Sequence, residues 1–177
     1  MQIFTVGVDG RNRRQLTNKP FEYAAHPSWS PDGKHVAFTG YRTGDTDDHV
    51  FVMDADGTHV RQLTSRLGYE LEPAWSPDGR HIAFVRVPYQ VSPFEQVPAS
   101  IAVVDVDGSH FHDVAMGAKG TSGYWAPAWS RDGSLLVATN FPPDGSCRLE
   151  VMDAYGRGKH AVDGSFKETL IATFAAT

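Results

Sequence analysis

Short apolar runs alternate with tight clusters of turn residues along the chain, and the pattern is clearest between Trp29 and Thr64. Trp29-Ser30 ends one strand, and a Ser-Pro-Asp-Gly turn follows. In that turn proline presets φ, aspartate bonds its own backbone and glycine accepts positive φ. His35-Val36-Ala37-Phe38 is the next strand and Val50-Phe51-Val52-Met53 a third. Ala55-Asp56-Gly57-Thr58 makes an Asp-Gly hairpin turn into a fourth, Val60-Arg61-Gln62-Leu63-Thr64. A sheet of four short antiparallel strands is too small to bury both faces alone, so the unit must stack on neighbours.

The unit recurs. HPSWSPDGKHVAFTG (26–40), EPAWSPDGRHIAFVR (72–86) and APAWSRDGSLLVATN (126–140) each place Pro-x-Trp-Ser-x-Asp-Gly ahead of an apolar strand. A second motif alternates with the first: IFTVGVDGRNRRQLT (3–17), VFVMDADGTHVRQLT (50–64), IAVVDVDGSHFHDVA (101–115) and LEVMDAYGRGKHAV (149–162). Trp29, Trp75 and Trp129 are 46 and 54 residues apart, the length of a propeller blade plus loop insertions. The expected fold class is all-β: a β-propeller of four-stranded antiparallel blades, three of them full, with a split or partial fourth. The blade repeats cover about 25–65, 72–115 and 125–162, with a half blade at 2–17 and a divergent tail at 163–177, all in one domain, 1–177. The repeated indoles read as packing between blades. The recurring Asp9, Asp56 and Asp107, like Asp32, Asp78 and Asp132, read as turn residues and not as catalytic carboxylates.

The paired motifs PxWSPDGxxIAF and VMDADGxxxxQLT resemble the repeat of TolB-type, WD40-like β-propellers over roughly residues 2–163. The same repeat occurs in propeller domains of some prolyl-oligopeptidase-like enzymes. The resemblance implies the propeller fold and a periplasmic or secreted location, yet MQIFTVGVDGRNRRQLT shows no basic segment followed by an apolar one, so no signal peptide is visible. It does not choose among scaffold, lid and enzyme. Three positions depart from the pattern: Arg131 replaces the turn proline, Tyr155 replaces the aspartate of VMDADG, and the tail lacks Trp-Ser-x-Asp-Gly. TolB-type propellers usually have more blades than this chain supplies. Either the tail joins the N-terminal hairpin in a composite fourth blade, or two chains combine. Unpaired edges and apolar blade faces favour a homodimer through blade faces.

Composition narrows the partners. Of the 177 residues 41% are hydrophobic, enough for a core, and the formal net charge of -5 argues against gripping nucleic-acid phosphates. No apolar run approaches the ~20 residues of a membrane span. The single cysteine, Cys147, leaves no internal disulfide. There is no G-x-S-x-G elbow, and no cofactor is expected.

In a propeller the innermost strand of each blade lines the central channel, so the residues just before Pro-x-Trp-Ser lie at one channel mouth. The candidate binding residues there are Tyr23 and His26 in the first copy, Tyr69, Glu70 and Glu72 in the second, and Tyr124 and Trp125 in the third. Aromatic, carboxylate and imidazole groups together suit a small binding surface; the alternative is a solvated rim with its aromatics packed on neighbouring blades. His26 with Glu70 or Glu72 has donor chemistry for a divalent cation, but two or three ligands do not define a metal site. The acidic loop Gly44–His49 lacks the glycine and distal glutamate of an EF-hand and reads as solvated. The insertion 87–100, with Tyr89 and Phe94, is either a grip for a peptide or subunit or a lid on its own blade. The expected function is a non-catalytic scaffold that binds a protein or peptide through a channel mouth or loop face. The alternatives are the propeller portion of a hydrolase or metal-dependent lyase, and a propeller fragment or engineered building block with no ligand.

Overall fold

The computed structural model describes residues 1–89 and 98–162; the tail 163–177 and most of the 87–100 insertion lie outside the described residues. A hairpin comes first, β1 (Phe4–Thr5) and β2 (Arg14–Gln15). Three four-stranded antiparallel sheets follow, each ordered as the chain runs. Blade 1 holds β3 (Phe21–Trp29), β4 (His35–Arg42), β5 (His49–Asp54) and β6 (Arg61–Gln62). Blade 2 holds β7 (Tyr69–Trp75), β8 (His81–Val87), β9 (Ser100–Asp105) and β10 (His112–Met116), and blade 3 holds β11 (Gly123–Trp129), β12 (Leu136–Phe141), β13 (Arg148–Met152) and β14 (His160–Ala161). The chain is therefore all-β and built as propeller blades.

Local chemistry shapes each blade. In the first turn Ser30 Oγ donates to Asp32 Oδ1 at 2.7 Å, Asp32 Oδ1 accepts from Lys34 N, and Ser30 Oγ accepts from His35 N at 2.9 Å. The Gln-Leu-Thr motif is equally specific. Thr64 Oγ1 accepts from Val50 N, Gln62 Nε2 donates to Thr64 O, and Leu63 is buried. Thr17, Gln15 and Leu16 repeat this arrangement around Ile3.

The apolar faces stack into three layers. Ile3 and Leu16 meet Phe21, Phe38 and Phe51; Val50 and Val52 meet Ile82, Phe84 and Val104; Ile101 and Val103 meet Trp129, Leu136 and Met152. β3 touches β7 and β7 touches β11, so the first strands form a continuous inner wall. The three tryptophans do not share one role. Trp129 is 8% exposed inside the third layer and Trp75 is partly buried against the second, but Trp29 is 50% exposed. Its expected place in a core between blades is not realised, because among the described residues the station before blade 1 holds β1 and β2 and no second strand for the indole to lie on.

Candidate functional site

Each first strand breaks its register just before its proline. The ladder shifts between Ala25 and Ser28, between Leu71 and Ala74, and between Trp125 and Ala128. One extra residue enters at each place, a β-bulge. The residue before the proline takes left-handed backbone, with φ of 50° at His26, 53° at Glu72 and 52° at Ala126. A non-glycine residue pays about 1–2 kcal/mol for that conformation. The three bulges set His26, Glu72 and Ala126 at equivalent points of the inner wall, and the backbone N–H groups of the second and third are held by side chains of the preceding blade. Glu72 N donates to Thr39 Oγ1 of blade 1 at 3.1 Å, and Glu72 Oε2 accepts from Ala126 N of blade 3 at 2.9 Å.

The candidate residues separate into a displayed set and an interior set. His26 is exposed, Tyr23 stacks on Tyr41 with centroids 5.8 Å apart, and Tyr69 meets Tyr89 edge-on at 6.1 Å. Trp125 is half-buried and its Nε1 donates to Ser122 O. Glu70 and Tyr124 are instead drawn between the strands. Glu70 is 1% exposed and bonded to His49 Nδ1 at 2.9 Å, and burial raises its pKa against the opposing pull of Thr64, His49 and Arg86. Tyr124 is 2% exposed and donates to Glu150 Oε2 at 2.6 Å; burial and that carboxylate hold its phenol above the ordinary range.

The fold also brings Tyr41, Asp48, His49 and Tyr89 to this rim; the sequence had set Asp48 and His49 in a solvated loop and Tyr89 in the 87–100 insertion, and gave no sign of Tyr41. Asp48 is partly buried, its Oδ1 has no hydrogen-bond partner, and burial raises its pKa while the nearby His26 and His49 oppose the shift. The signal for Asp48 and His49 was their place in the Gly44–His49 loop. Its carboxylates are engaged singly: Asp45 accepts from Arg42 N, and Asp47, buried, accepts from Gly68 N. Among the described residues no group of three or more His, Cys, Asp or Glu side chains is placed to hold a metal ion.

The opposite ends of the blades carry two grooves, one between blades 1 and 2 of about 720 Å³ and one between blades 2 and 3 of about 650 Å³. In the first, Trp75 stacks on His35 and Asp54 bridges to His59; in the second, Trp129 lies by His81 and Asp105 bridges to His110. The same residue types in the same places make these grooves a property of the repeat.

Four-stranded meanders stacked face to face around a shared inner wall define a β-propeller. A family model described as the TolB beta propeller domain matches residues 1–87. Over residues 1–87 the chain thus carries the TolB-type, WD40-like β-propeller repeat. The Tol-Pal system protein TolB of Syntrophus aciditrophicus (strain SB) is 34% identical over 67 residues, which span 36% of this chain and 14% of that protein. A putative TolB from Agrobacterium tumefaciens shares 28% identity with a TM-score of 0.72, covering 90% of this chain and 55% of that one. An oligogalacturonate lyase in complex with manganese has a TM-score of 0.68 at 13% identity over 90% of this chain and 47% of its own, a likeness of fold alone. The chain thus spans about half the length of these solved relatives.

Proposed function

We propose that this chain is a non-catalytic propeller scaffold that binds a protein or peptide at the rim of its inner wall. The observation that carries the reading is two aromatic pairs, half-buried Tyr23 with Tyr41 and exposed Tyr69 with Tyr89, flanking His26, Asp48 and Glu72 on one rim. Tyrosines of this kind supply rigid contact area with a polar tip, the usual anchors of a peptide interface. The name of the curated relative, a protein of the Tol-Pal system, favours a protein partner. A photo-crosslinking residue placed at position 26 or 69 should label one defined protein, and the same residue at the exposed Asp132 on the opposite face should not. Tyr23→Ala with Tyr69→Ala should cut that labelling at least tenfold while the β-type circular dichroism stays unchanged. Equal labelling from position 132, or turnover of a small substrate lost in His26→Ala, would overturn the proposal.

A second reading concerns assembly. We infer a homodimer through the blade faces, from the exposure of Trp29 (50%) in blade 1 and of Phe4 (43%) and Val6 (59%) in the hairpin before it. Burying such a face gains roughly 25 cal/mol per Å² of apolar surface. Sedimentation at micromolar concentration should give twice the chain mass, and a stable monomer would refute it.

A further inference from the structure

A smaller pocket, of about 290 Å³, lies between the hairpin and blade 1. Its walls are mostly apolar, from Leu16, Pro20, Phe21 and Val60, and its charge comes from Lys19 and Arg42. No carboxylate is among its lining residues.

Two departures from the repeat make this pocket. The register that pairs Tyr23 with Tyr41, Tyr69 with Val87 and Gly123 with Phe141 places Arg42 where the later blades have Pro88 and Pro142. Val60, six residues after Asp54, stands where blade 2 has Phe111, six residues after Asp105. In blade 2 that larger ring packs into the layer, and Arg66 lies over it at 3.9 Å. In blade 1 the valine leaves room, and Arg42 lines the space. The blade does not need this arginine to form, since two blades form with proline in its place.

The guanidinium of Arg42 lies over the Phe51 ring at 4.9 Å and the Phe21 ring at 5.4 Å. Those contacts engage the face of the group, whereas its N–H donors lie in the plane. Its Nε is shut off from solvent without a hydrogen-bond partner. Among the described residues no acid forms an ion pair with Arg42 or Lys19. Asp45, three residues on, is held instead by the Arg42 backbone N–H at 2.9 Å. A buried cationic donor without an acceptor is costly, and folded proteins rarely leave one. The hairpin adds to the positive field: Arg11, Arg13, Arg14 and Lys19 fall within nine residues that contain no acid.

We propose that this pocket binds a small organic acid, a monocarboxylate with a short apolar chain. Arg42 receives the carboxylate, because the planar edge of a guanidinium matches two carboxylate oxygens, and Lys19 adds a second charge. The chain of the acid lies against Leu16 and Val60. The volume is at the small end of ligand pockets and suits about four to six carbons. The apolar walls disfavour phosphate, whose remaining oxygens they would leave without donors. The lining shares no residue with the tyrosine rim, so the site stands whether or not that rim takes a peptide.

The test titrates the full chain with trifluoropentanoate and follows its fluorine NMR signal. The expected result is saturable binding with a Kd of about 1 mM or tighter. Arg42→Gln should weaken it at least tenfold with unchanged circular dichroism. So should Val60→Phe, which supplies the ring that blade 2 carries and closes the pocket without touching its charge. The neutral isostere trifluoropentanol should not saturate. Absence of saturation by the acid, binding unmoved by either variant, or equal binding of the alcohol overturns the proposal. Displacement by an equal concentration of inorganic phosphate overturns the carboxylate as the ligand class. Tighter binding of N-acetylglutamate amide overturns the free acid and assigns the pocket to a peptide-borne carboxylate.

Discussion

Ser30, Ser76 and Ser130 each put one hydroxyl to two uses. Each donates to the aspartate two residues on, at 2.7, 2.5 and 2.6 Å, and accepts from the backbone N–H five residues on. Every partner is local, so the turn persists where Arg131 stands in place of proline, and it was legible in the sequence for the same reason. The serines also tune the acids: the Ser30 hydroxyl chiefly holds Asp32 below the usual carboxylate range, and the Ser130 hydroxyl with the Ser134 N–H pulls Asp132 down to about 2. Glu70 is the opposite case, and it was not legible. Its burial depends on His49, twenty-one residues away on the preceding blade, while the same position holds Ala24 and Tyr124 elsewhere. Burial raises its pKa, so the folded form holds the proton more tightly than the unfolded chain. The stability this provides is full below the unfolded pKa and is lost as pH rises through the folded one. Glu70→Gln, which keeps the shape without the charge, should therefore match the parent near pH 4 and exceed it increasingly toward pH 8. Urea titrations at several pH values will show this, and a gap that does not change with pH would contradict it.

The register of the first strands revises which tyrosines correspond. Tyr23 pairs with Tyr41, Tyr69 with Val87 and Gly123 with Phe141, so the third-blade equivalent of the rim tyrosines is Gly123 and not Tyr124. Counting back four residues from Pro27, Pro73 and Pro127 would have revealed it, since the bulge adds one residue to every blade alike. What counting does not reveal is why glycine is there. Its φ is +76°, and a Cβ would stand 2.1 Å from Ala99 O, at the bridge that joins blades 2 and 3. Gly123→Ala should cost at least about 1–3 kcal/mol, the usual range for one strained backbone site, with more from the collision. A denaturant midpoint shift below a few tenths of that would show that the strand relaxes freely. The sequence pattern marked the strands themselves because turn residues bracket each apolar run; the two-residue extents of β1, β2, β6 and β14 were less legible, since outer strands carry few contacts to hold them.

On the scale of the whole molecule the stability of each tryptophan's neighbourhood follows its neighbour. Trp129→Ala removes a buried aromatic from the layer between blades 2 and 3 and should cost about 3–5 kcal/mol. Trp75→Ala should cost less, and Trp29→Ala less than about 1 kcal/mol in the isolated chain, because half of that side chain already meets solvent. Equal losses at all three sites, read by thermal or urea unfolding, would show that Trp29 is packed as firmly as the other two. The repeat thus made the blades readable in the sequence, but it could not show that one indole lacks a seat, because that depends on what packs before blade 1 and not on Trp29 itself. One feature binds the blades without regard to side chains: the N–H of Ala24, Glu70 or Tyr124 reaching the carbonyl of Met1, Asp48 or Ala99. The contact between neighbours is thereby made by main-chain atoms that every amino acid but proline possesses. A lineage built on such a hinge can rewrite a wedge's inner surface, methyl to carboxylate to phenol, and still lay the next wedge at the same pitch, so the number of wedges can drift by duplication or loss while the spoke spacing is inherited unchanged.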